Sequence, residues 1–281
     1  MRMDLGTIGV WTTYRAIGEE NAGEAASLVE ELGYGTFWLG GSPRLSSVRP
    51  LLEATETLVV ATGIVNVWAY DPAQLAAEYV SLARDFPERL LVGIGIGHPE
   101  ATSGYSRPLT TMRAFLDGLD HADTSLPHDH RCLASLAPKM LRLSGERALG
   151  AIPYFVPVAH TRSARALLGP EPLLTPELAF VLDEDTGRAR QKAREFAMTY
   201  LGLSNYANNL LRHGFTTEDI ADGGSDRLID EVIPHGSADE IATVVRSHLA
   251  AGANQVAVQA IGEPGIPALG WARLAEALTG Y

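Results

Sequence analysis

Short apolar segments alternate along the chain with longer segments in which apolar positions recur every three or four residues. The first pattern predicts buried β-strands and the second predicts amphipathic helices. Strands are predicted at 5–11, 36–39, 58–65, 90–96, 133–136, 152–156, 178–182 and 255–260. Helices are predicted at 19–32, 48–57, 72–85, 108–120, 138–149, 161–168 and 271–278, and a long helical region is predicted between 186 and 251.

This alternation predicts the fold class. Strands that alternate with helices indicate a parallel α/β sheet, and eight such units indicate a closed (β/α)8 TIM barrel. The helical region at 186–251 is then an insertion between strands seven and eight. An open, doubly wound sheet is the alternative. No linker-like segment divides the sequence, so we expect one domain over residues 1–281.

Composition narrows the class of protein. The formal net charge of −12 argues against a nucleic-acid-binding or anionic-membrane-binding surface. No apolar run approaches the ~20 residues that span a bilayer. The N-terminus carries no signal-peptide pattern, and Cys132 is the single cysteine. We therefore expect a cytoplasmic protein in which Cys132 is buried and inert.

In a barrel, the chemistry lies at the C-terminal ends of the strands. Gly93, Gly95 and Gly97 alternate along the fourth strand, so their backbone can lie against a flat ligand. Tight packing inside the barrel is the alternative explanation. His98 follows directly, and its imidazole could exchange a proton with a substrate near neutral pH. A solvent-facing loop histidine is the alternative there.

Further candidate groups stand at other strand ends. Asn66 could form a hydrogen bond with the polar edge of a ring, or satisfy a loop carbonyl. Trp11 and Trp68 suggest an aromatic lining for a substrate. The segment 133–156 combines a strand, a small-residue turn, a helix and a strand, and free N–H groups at such a turn favour a phosphate. An ordinary strand-to-helix connection is the alternative.

Several chemistries have no support in the sequence. His128 and His130 lie two residues apart, without further ligands at metal spacing, so no metal site is expected. No phosphate-binding P-loop and no nucleophile-elbow motif occurs.

Seven stretches carry a resemblance to a known family. They are LGTIGVWT at 5–12, GYGTFWLGG at 33–41, VVATGIVNVWAYDPAQLAAEY at 59–79, RLLVGIGIGHPE at 89–100, LAPKMLRLSGERALGAIPYFVPVAHTRSARALLGP at 136–170, SNYANNLLRHGF at 204–215 and GGSDRLID at 223–230. With these segments the chain resembles the bacterial luciferase-like superfamily of flavin and deazaflavin oxidoreductases. More closely, it is similar to a subfamily of probable coenzyme F420-dependent oxidoreductases.

The resemblance implies a (β/α)8 barrel and a set of site residues. A non-prolyl cis peptide behind the cofactor ring would fall at Gly63–Ile64. Gly95 and Gly97 would admit the ring closely, and His98 stands where some members carry an acid. The cofactor phosphate would bind at the turn after strand five. That turn is formed by Ser135, Leu136, Ala137 and Pro138.

The function implied by the resemblance is hydride transfer between coenzyme F420 and an unidentified small organic substrate, catalysed by a homodimer. The first alternative is an FMN-dependent monooxygenase, which needs a reductase partner and oxygen. The second alternative is a non-catalytic relative that binds a cofactor or ligand. Gly40 and Gly41 favour it, because several members carry Asp or His there.

Overall fold

The computed structural model describes residues 3–279. Its strands are β1 Ile8–Thr12, β2 Thr36–Gly40, β3 Val59–Gly63, β4 Val65–Asn66, β5 Leu90–Gly95, β6 Arg131–Leu133, β7 Gly150–Ala151, β8 Leu173–Leu174, β9 Glu177–Leu182, β10 His235–Gly236 and β11 Val256–Ala260. Its helices are α1 Tyr14–Ile17, α2 Ala22–Glu31, α3 Arg49–Glu53, α4 Pro72–Asp85, α5 Pro108–Asp120, α6 Pro138–Arg147, α7 Val158–Leu168, α8 Thr186–Leu201, α9 Ser204–Arg212, α10 Thr217–Ile220, α11 Asp226–Val232, α12 Ala238–Ala250 and α13 Ala268–Ala277. Short 3-10 turns occur at Glu19–Asn21, Leu45–Val48, His128–His130 and Ala221–Gly223.

The strands form a closed parallel barrel. They pair in the order β10-β9-β11-β1-β2-β3-β5-β6-β7-β8, with β4 beside β5. β8 and β9 are two parts of one barrel strand, interrupted at Pro176, which has no N–H for the ladder. The Glu177 N–H donates to the Pro153 carbonyl at 2.9 Å, and the Ala257 N–H donates to the Pro176 carbonyl at 3.0 Å. These bonds close the sheet, so the predicted (β/α)8 barrel is confirmed over the open sheet.

Two helices begin and end where the sequence predicts. α4 and α5 each begin with a proline, Pro72 and Pro108, whose missing N–H has no intrahelical partner at that position anyway. The Asp71 side chain also accepts the N–H groups of Ala73 and Gln74 and so caps α4. Local signals of this kind fix a boundary without help from the tertiary structure.

Other predicted boundaries are wrong. The strand expected at 133–136 is β6, Arg131–Leu133. The apolar pattern placed its start two residues too late, because the strand begins with a charged residue. Arg131 is buried and donates to Asp120 Oδ1 at 2.7 Å and to the Arg147 carbonyl at 3.0 Å. The strand expected at 152–156 is β7, Gly150–Ala151, and the helix expected at 48–57 ends at Glu53. The two-residue strands β8 and β10 are too short for a periodicity signal.

The segment between β9 and β11 carries helices α8 to α12, as the sequence predicts. The Ser204 N–H at the start of α9 donates to Glu100 Oε1 at 3.0 Å, in the loop after β5. The insertion therefore reaches the C-terminal end of the barrel. Within residues 3–279, no helix is long and apolar enough to cross a membrane. Cys132 is buried inside the barrel, and burial raises the pKa of its thiol, as expected of an inert cysteine.

Two tryptophans fill the barrel interior below its C-terminal mouth. The rings of Trp11 and Trp38 are stacked, with centroids 5.9 Å apart. Strand glycines leave the volume that Trp11 needs, since a Cβ at Gly40 would lie 2.6 Å from Trp11 Nε1 and one at Gly63 would lie 2.1 Å from Trp11 Cη2. Gly40 is therefore required by packing, because any side chain there would collide with the indole.

This packing predicts opposite effects for two glycine-to-alanine changes. Gly40→Ala should lower the free energy of unfolding by about 1–3 kcal/mol, because the methyl group overpacks the barrel interior. Gly23→Ala, in α2, should raise it by about 0.5–1 kcal/mol, because its Cβ meets the Ala54 Cβ at an ordinary 3.4 Å. Urea unfolding of both variants measures the difference. Equal stability of Gly40→Ala and the unmodified protein would contradict the packing.

Candidate functional site

A cavity of about 740 Å³ opens at the C-terminal end of the barrel, between the strand ends and α9. Such a volume suits a cofactor-sized ligand. Ten of the twelve site residues predicted from the sequence line it, namely Trp11, Gly63, Ile64, Asn66, Gly95, Gly97, His98, Ser135, Leu136 and Ala137. Folding of the chain brings these positions together from the ends of four strands and from the loops that follow those strands.

The remaining two predicted residues lie outside the cavity wall. Pro138 is the first residue of α6, just beyond the turn that faces the cavity. Trp68 is 37% exposed, and its indole N–H donates to the Ile96 carbonyl at 2.8 Å. Its ring packs against Tyr105 with the centroids 6.2 Å apart. Trp68 therefore supports the loop after β5 from outside, which does not match a substrate-lining role.

The glycines of β5 make room for the neighbouring strand. A Cβ at Gly93 would lie 1.9 Å from the Thr62 carbonyl oxygen, and one at Gly95 would lie 2.5 Å from Ile64 Cγ1. Packing is thus sufficient to explain both glycines. The peptide bond between Gly63 and Ile64 is cis, at the position that the resemblance implies. Because Gly95 has no side chain, Ile64 packs over it and both residues form one wall of the cavity.

Asn66 and Gly97 lie together beside this wall. A Cβ at Gly97, whose φ is +68°, would lie 3.1 Å from Asn66 Nδ2. Asn66 Oδ1 accepts the Trp68 N–H at 3.1 Å, which orients the amide. Within residues 3–279 the Nδ2 group has no hydrogen-bond partner and can donate to a ligand in the cavity.

The turn after β6 offers backbone groups and no free hydroxyl. Ser135 Oγ is 2.5 Å from Ser144 Oγ and 3.2 Å from the Leu133 carbonyl, so its side chain is held by the protein itself. Ala137 is the N-cap of α6, and no side chain caps that end. An anion at this turn would therefore meet backbone N–H groups at the positive end of a helix.

The cavity carries no negative charge, although the whole chain has a net charge of −12. Within the described residues, no Asp or Glu is among the lining side chains. His98 and Arg212, at the last turn of α9, are the basic residues of the lining. Arg212 is exposed at the outer end. The cavity wall therefore suits a ligand that is neutral at its inner end and anionic at its outer end.

His98 is oriented by the insertion. Its Nδ1 lies 3.0 Å from Asn205 Oδ1, and because that oxygen only accepts, Nδ1 donates. Nε2 is then the nitrogen that exchanges a proton with a ligand. The imidazole also lies against the Tyr206 ring, with the centroids 5.3 Å apart. Sequence reasoning identified His98 but could not identify Asn205, which is 107 residues away.

Three tyrosines complete the inner part of the cavity, and the strand pattern gave no sign of their association. Tyr154 donates to Gln259 Oε1 at 2.8 Å, so its oxygen accepts the hydroxyl of Tyr200 at 2.9 Å. Tyr206 packs against both rings, with centroid distances of 6.2 and 5.4 Å. Burial raises the pKa of all three phenols, and the nearby Glu177 adds to the effect. All three are therefore neutral at pH 7.

Glu177 is a fully buried carboxyl inside the barrel, behind these tyrosines. Its Oε2 accepts the Phe155 N–H at 3.1 Å, while Oε1 has no partner within the described residues. Burial raises the pKa of Glu177 to about 8, and the Phe155 hydrogen bond opposes that rise. Glu177 is therefore protonated at pH 7. Within residues 3–279 there is no group of three or more His, Cys, Asp or Glu side chains that could hold a metal ion.

The chain belongs to the luciferase-like monooxygenase family, whose family model matches residues 3–261. This family comprises oxidoreductases and monooxygenases. Comparison with curated proteins gives no significant match. The identification of the family therefore rests on the family model, and the position of the site agrees with a barrel enzyme.

Solved structures share the fold at low sequence identity. An F420-dependent secondary alcohol dehydrogenase, in complex with an F420–acetone adduct, is 14% identical with a TM-score of 0.75, covering 99% of this chain and 98% of that one. A coenzyme F420-dependent tetrahydromethanopterin reductase from Methanopyrus kandleri is 15% identical with a TM-score of 0.75, covering 96% and 97%.

An FMN-containing enzyme is also similar. It is the oxygenating constituent of 3,6-diketocamphane monooxygenase from Pseudomonas putida, a type II Baeyer–Villiger monooxygenase in complex with FMN. It is 15% identical with a TM-score of 0.65, covering 100% of this chain and 97% of that one. At these identities the similarities establish a common fold, and they do not decide between the two cofactors.

Glu177 should make stability depend on pH. The unfolded carboxyl ionises above pH 4.5 and the folded one only above about 8, so the folded state binds more protons and the free energy of unfolding falls as pH rises between these values. Burial lowers the pKa of His160 and of His248 to about 4, so their contribution to the free energy of unfolding rises with pH up to 6.5. Between pH 6.5 and 8 the Glu177 contribution should therefore fall by about 1.5–2 kcal/mol.

Glu177→Gln tests this expectation, because glutamine keeps an acceptor for the Phe155 N–H and cannot ionise. Chemical unfolding at pH 6.5 and pH 8 should show a smaller decrease in stability for the variant than for the unmodified protein. The surface variant Glu146→Gln serves as the control and should keep the original pH dependence. A decrease that is the same in all three proteins would show that Glu177 is ionised in the folded state.

Proposed function

We propose that this protein is an oxidoreductase that transfers a hydride between coenzyme F420 and a small organic substrate. The observation that carries the proposal is the acid-free cavity at the barrel mouth, with Arg212 at its exposed end. A deazaflavin cofactor combines a planar ring with an anionic phosphate, which match the aromatic inner part and the basic outer end of this cavity. The fold shared with two F420-dependent enzymes supports the same proposal.

The residues of the cavity fit such a cofactor. Ile64 and Gly95 would form the wall behind the ring, with Gly63 and Gly97 at its borders. The free Nδ2 group of Asn66 would donate to the polar edge of the ring. The turn from Ser135 through Leu136 and Ala137 to Pro138 would bind the phosphate through backbone N–H groups. The bound cofactor supplies the hydride chemistry, while the protein orients the reactants and excludes water.

His98 is the proposed catalytic residue for proton transfer. Asn205 holds Nδ1–H, so neutral His98 can accept the proton of a substrate hydroxyl at Nε2, and protonated His98 can return it. Trp11 lines the cavity floor and would contact the apolar part of the substrate. The homodimer, the cytoplasmic location and the single-domain organisation stay predictions from the sequence.

An FMN-dependent monooxygenase is the second candidate function. It is favoured by the fold shared with the FMN-containing Baeyer–Villiger enzyme. A phosphate at the turn after β6 fits FMN as well as F420, so the discriminating property is which ring the cavity binds.

Titration of the purified full chain with F420 and, separately, with FMN should show micromolar binding of F420 and at least tenfold weaker binding of FMN. Cofactor fluorescence measures both. The ring and the phosphate are common to both cofactors, so the expected preference rests on the fold shared with the two F420-dependent enzymes at the higher TM-score of 0.75. Stronger binding of FMN would favour the monooxygenase, and binding of neither cofactor would overturn the proposed function.

His98→Ala should lower turnover by about 10²–10⁴-fold, because the proton-transfer group is removed. The dissociation constant for F420 should stay within twofold of the unmodified value. Asn205→Ala should lower turnover less, because it releases the imidazole without removing it. Rates would be measured with a substrate found by screening the F420-loaded protein. Unchanged turnover in His98→Ala would exclude His98 from the mechanism.

A further inference from the structure

The three tyrosines at the inner end of the cavity differ in one respect. The hydroxyls of Tyr154 and Tyr200 are bonded to each other, and Tyr154 is bonded to Gln259 as well. Tyr206 lines the same cavity, yet its hydroxyl has no hydrogen-bond partner within residues 3–279. Only 7% of Tyr206 is exposed. The hydroxyl itself is not one of the fully buried unpaired polar atoms, so it is accessible from the cavity and can pair with a ligand there.

The Tyr206 ring is held firmly, so its hydroxyl is a fixed feature of the cavity. The ring contacts His98, Tyr154, Phe155 and Tyr200, with centroid distances between 5.3 and 6.2 Å. Its helix, α9, is in turn bound to the loop after β5 through two hydrogen bonds, described above. A polar group that is fixed before a ligand arrives binds with little loss of conformational freedom.

The surroundings of Tyr206 define the ligand it can take. The neighbouring cavity side chains are aromatic or aliphatic, including Trp11, Ile152 and Tyr154, and the nearest carboxyl, Glu177, is protonated at pH 7. A charged group at this end would lose its hydration, and His98, whose ring lies against the Tyr206 ring, provides no counter-ion in its neutral form. Arg212 lies at the exposed end of the cavity and cannot serve as that partner. The ligand atom at Tyr206 is therefore neutral.

We propose that Tyr206 is a substrate-binding residue whose hydroxyl pairs with the neutral oxygen of a carbonyl or alcohol group, carried on an apolar or aromatic molecule. The phenol donates to a carbonyl oxygen and accepts from an alcohol, so it can bind both members of a redox pair. This inference deepens the proposed function and rests on it for the reaction. It assigns a specificity role to the inserted helix.

The role of Tyr206 fits the proton chemistry of His98. In reduction, bound reduced F420 would supply the hydride to the substrate carbonyl carbon. As the C=O π bond breaks, protonated His98 would give a proton to the oxygen. Oxidation of the alcohol is the reverse. Since the His98 ring lies against the Tyr206 ring, an oxygen held by Tyr206 is close to the proton-transfer group. Tyr206 orients the oxygen throughout and neither gains nor loses a proton.

Binding of two matched probes tests the inference without turnover. Acetophenone presents a neutral carbonyl on an aromatic ring, and ethylbenzene has nearly the same shape without the oxygen. Calorimetric titration of the full chain, with and without bound F420, should show acetophenone binding about tenfold more tightly. In Tyr206→Phe, which keeps the ring contacts, this preference should fall to about twofold or less while ethylbenzene affinity is unchanged. Tyr105→Phe, the same change at the outer rim, should keep the tenfold preference.

Three results would overturn the inference. Equal binding of the two probes by the unmodified protein, or no binding of acetophenone, would show that the inner cavity does not recognise a neutral oxygen. If Tyr206→Phe keeps both the tenfold preference for acetophenone and the melting temperature of the unmodified protein, another residue recognises the ligand oxygen. Failure of F420 to bind, with the oxygen preference intact, would refute the proposed cofactor and leave the ligand site standing. The two proposals can therefore fail separately.

Discussion

The packing of one indole inside the barrel determines the form of the site. Trp11 lies under the mouth of the barrel, stacked on Trp38 and in contact with the Tyr154 ring at 5.2 Å. It fits because Gly40, on the neighbouring strand β2, and Gly63, on β3, have no side chains. A large side chain on one strand is thus balanced by small residues on the next, as dense interior packing requires. The result is an aromatic floor for the cavity.

This arrangement explains why an acidic residue is absent after the second strand. A carboxylate at position 40 would compete with Trp11 for the same volume, so the glycine is a packing requirement and does not by itself indicate loss of catalysis. The feature that favoured a non-catalytic relative therefore has a structural cause. The proposed proton-transfer group, His98, stands after β5, two strands away from β2 in the barrel.

The insertion supplies what the barrel strands lack. α9 contributes the amide that orients His98, the phenol of Tyr206 and the cation of Arg212, and all of them line the cavity. Hydrogen bonds from Ser204 to Glu100 and between His98 and Asn205 join this helix to the loop after β5. The barrel therefore provides the walls and the glycines, while the inserted helix adds five polar side chains to the lining, namely Ser204, Asn205, Tyr206, Asn208 and Arg212. Among the described lining residues the only charged or basic side chains are those of His98 and Arg212, in contrast to the net charge of −12 of the whole chain.

The sequence by itself determined the barrel, the long insertion and ten of the residues that line the cavity. The barrel and the insertion follow from local signals, since the periodicity of apolar positions reports burial, prolines mark helix starts and glycines mark close approaches of the backbone. The role of Gly63 and Ile64 was implied by the family resemblance instead. Only the tertiary structure decided which residues meet. Arg131 begins a strand because Asp120 and the Arg147 carbonyl satisfy it in the interior, and Tyr154, Tyr200 and Tyr206 form a cluster because closure of the barrel brings distant segments together. Contacts of this kind have no repeat along the chain, so no pattern in the sequence could have indicated them.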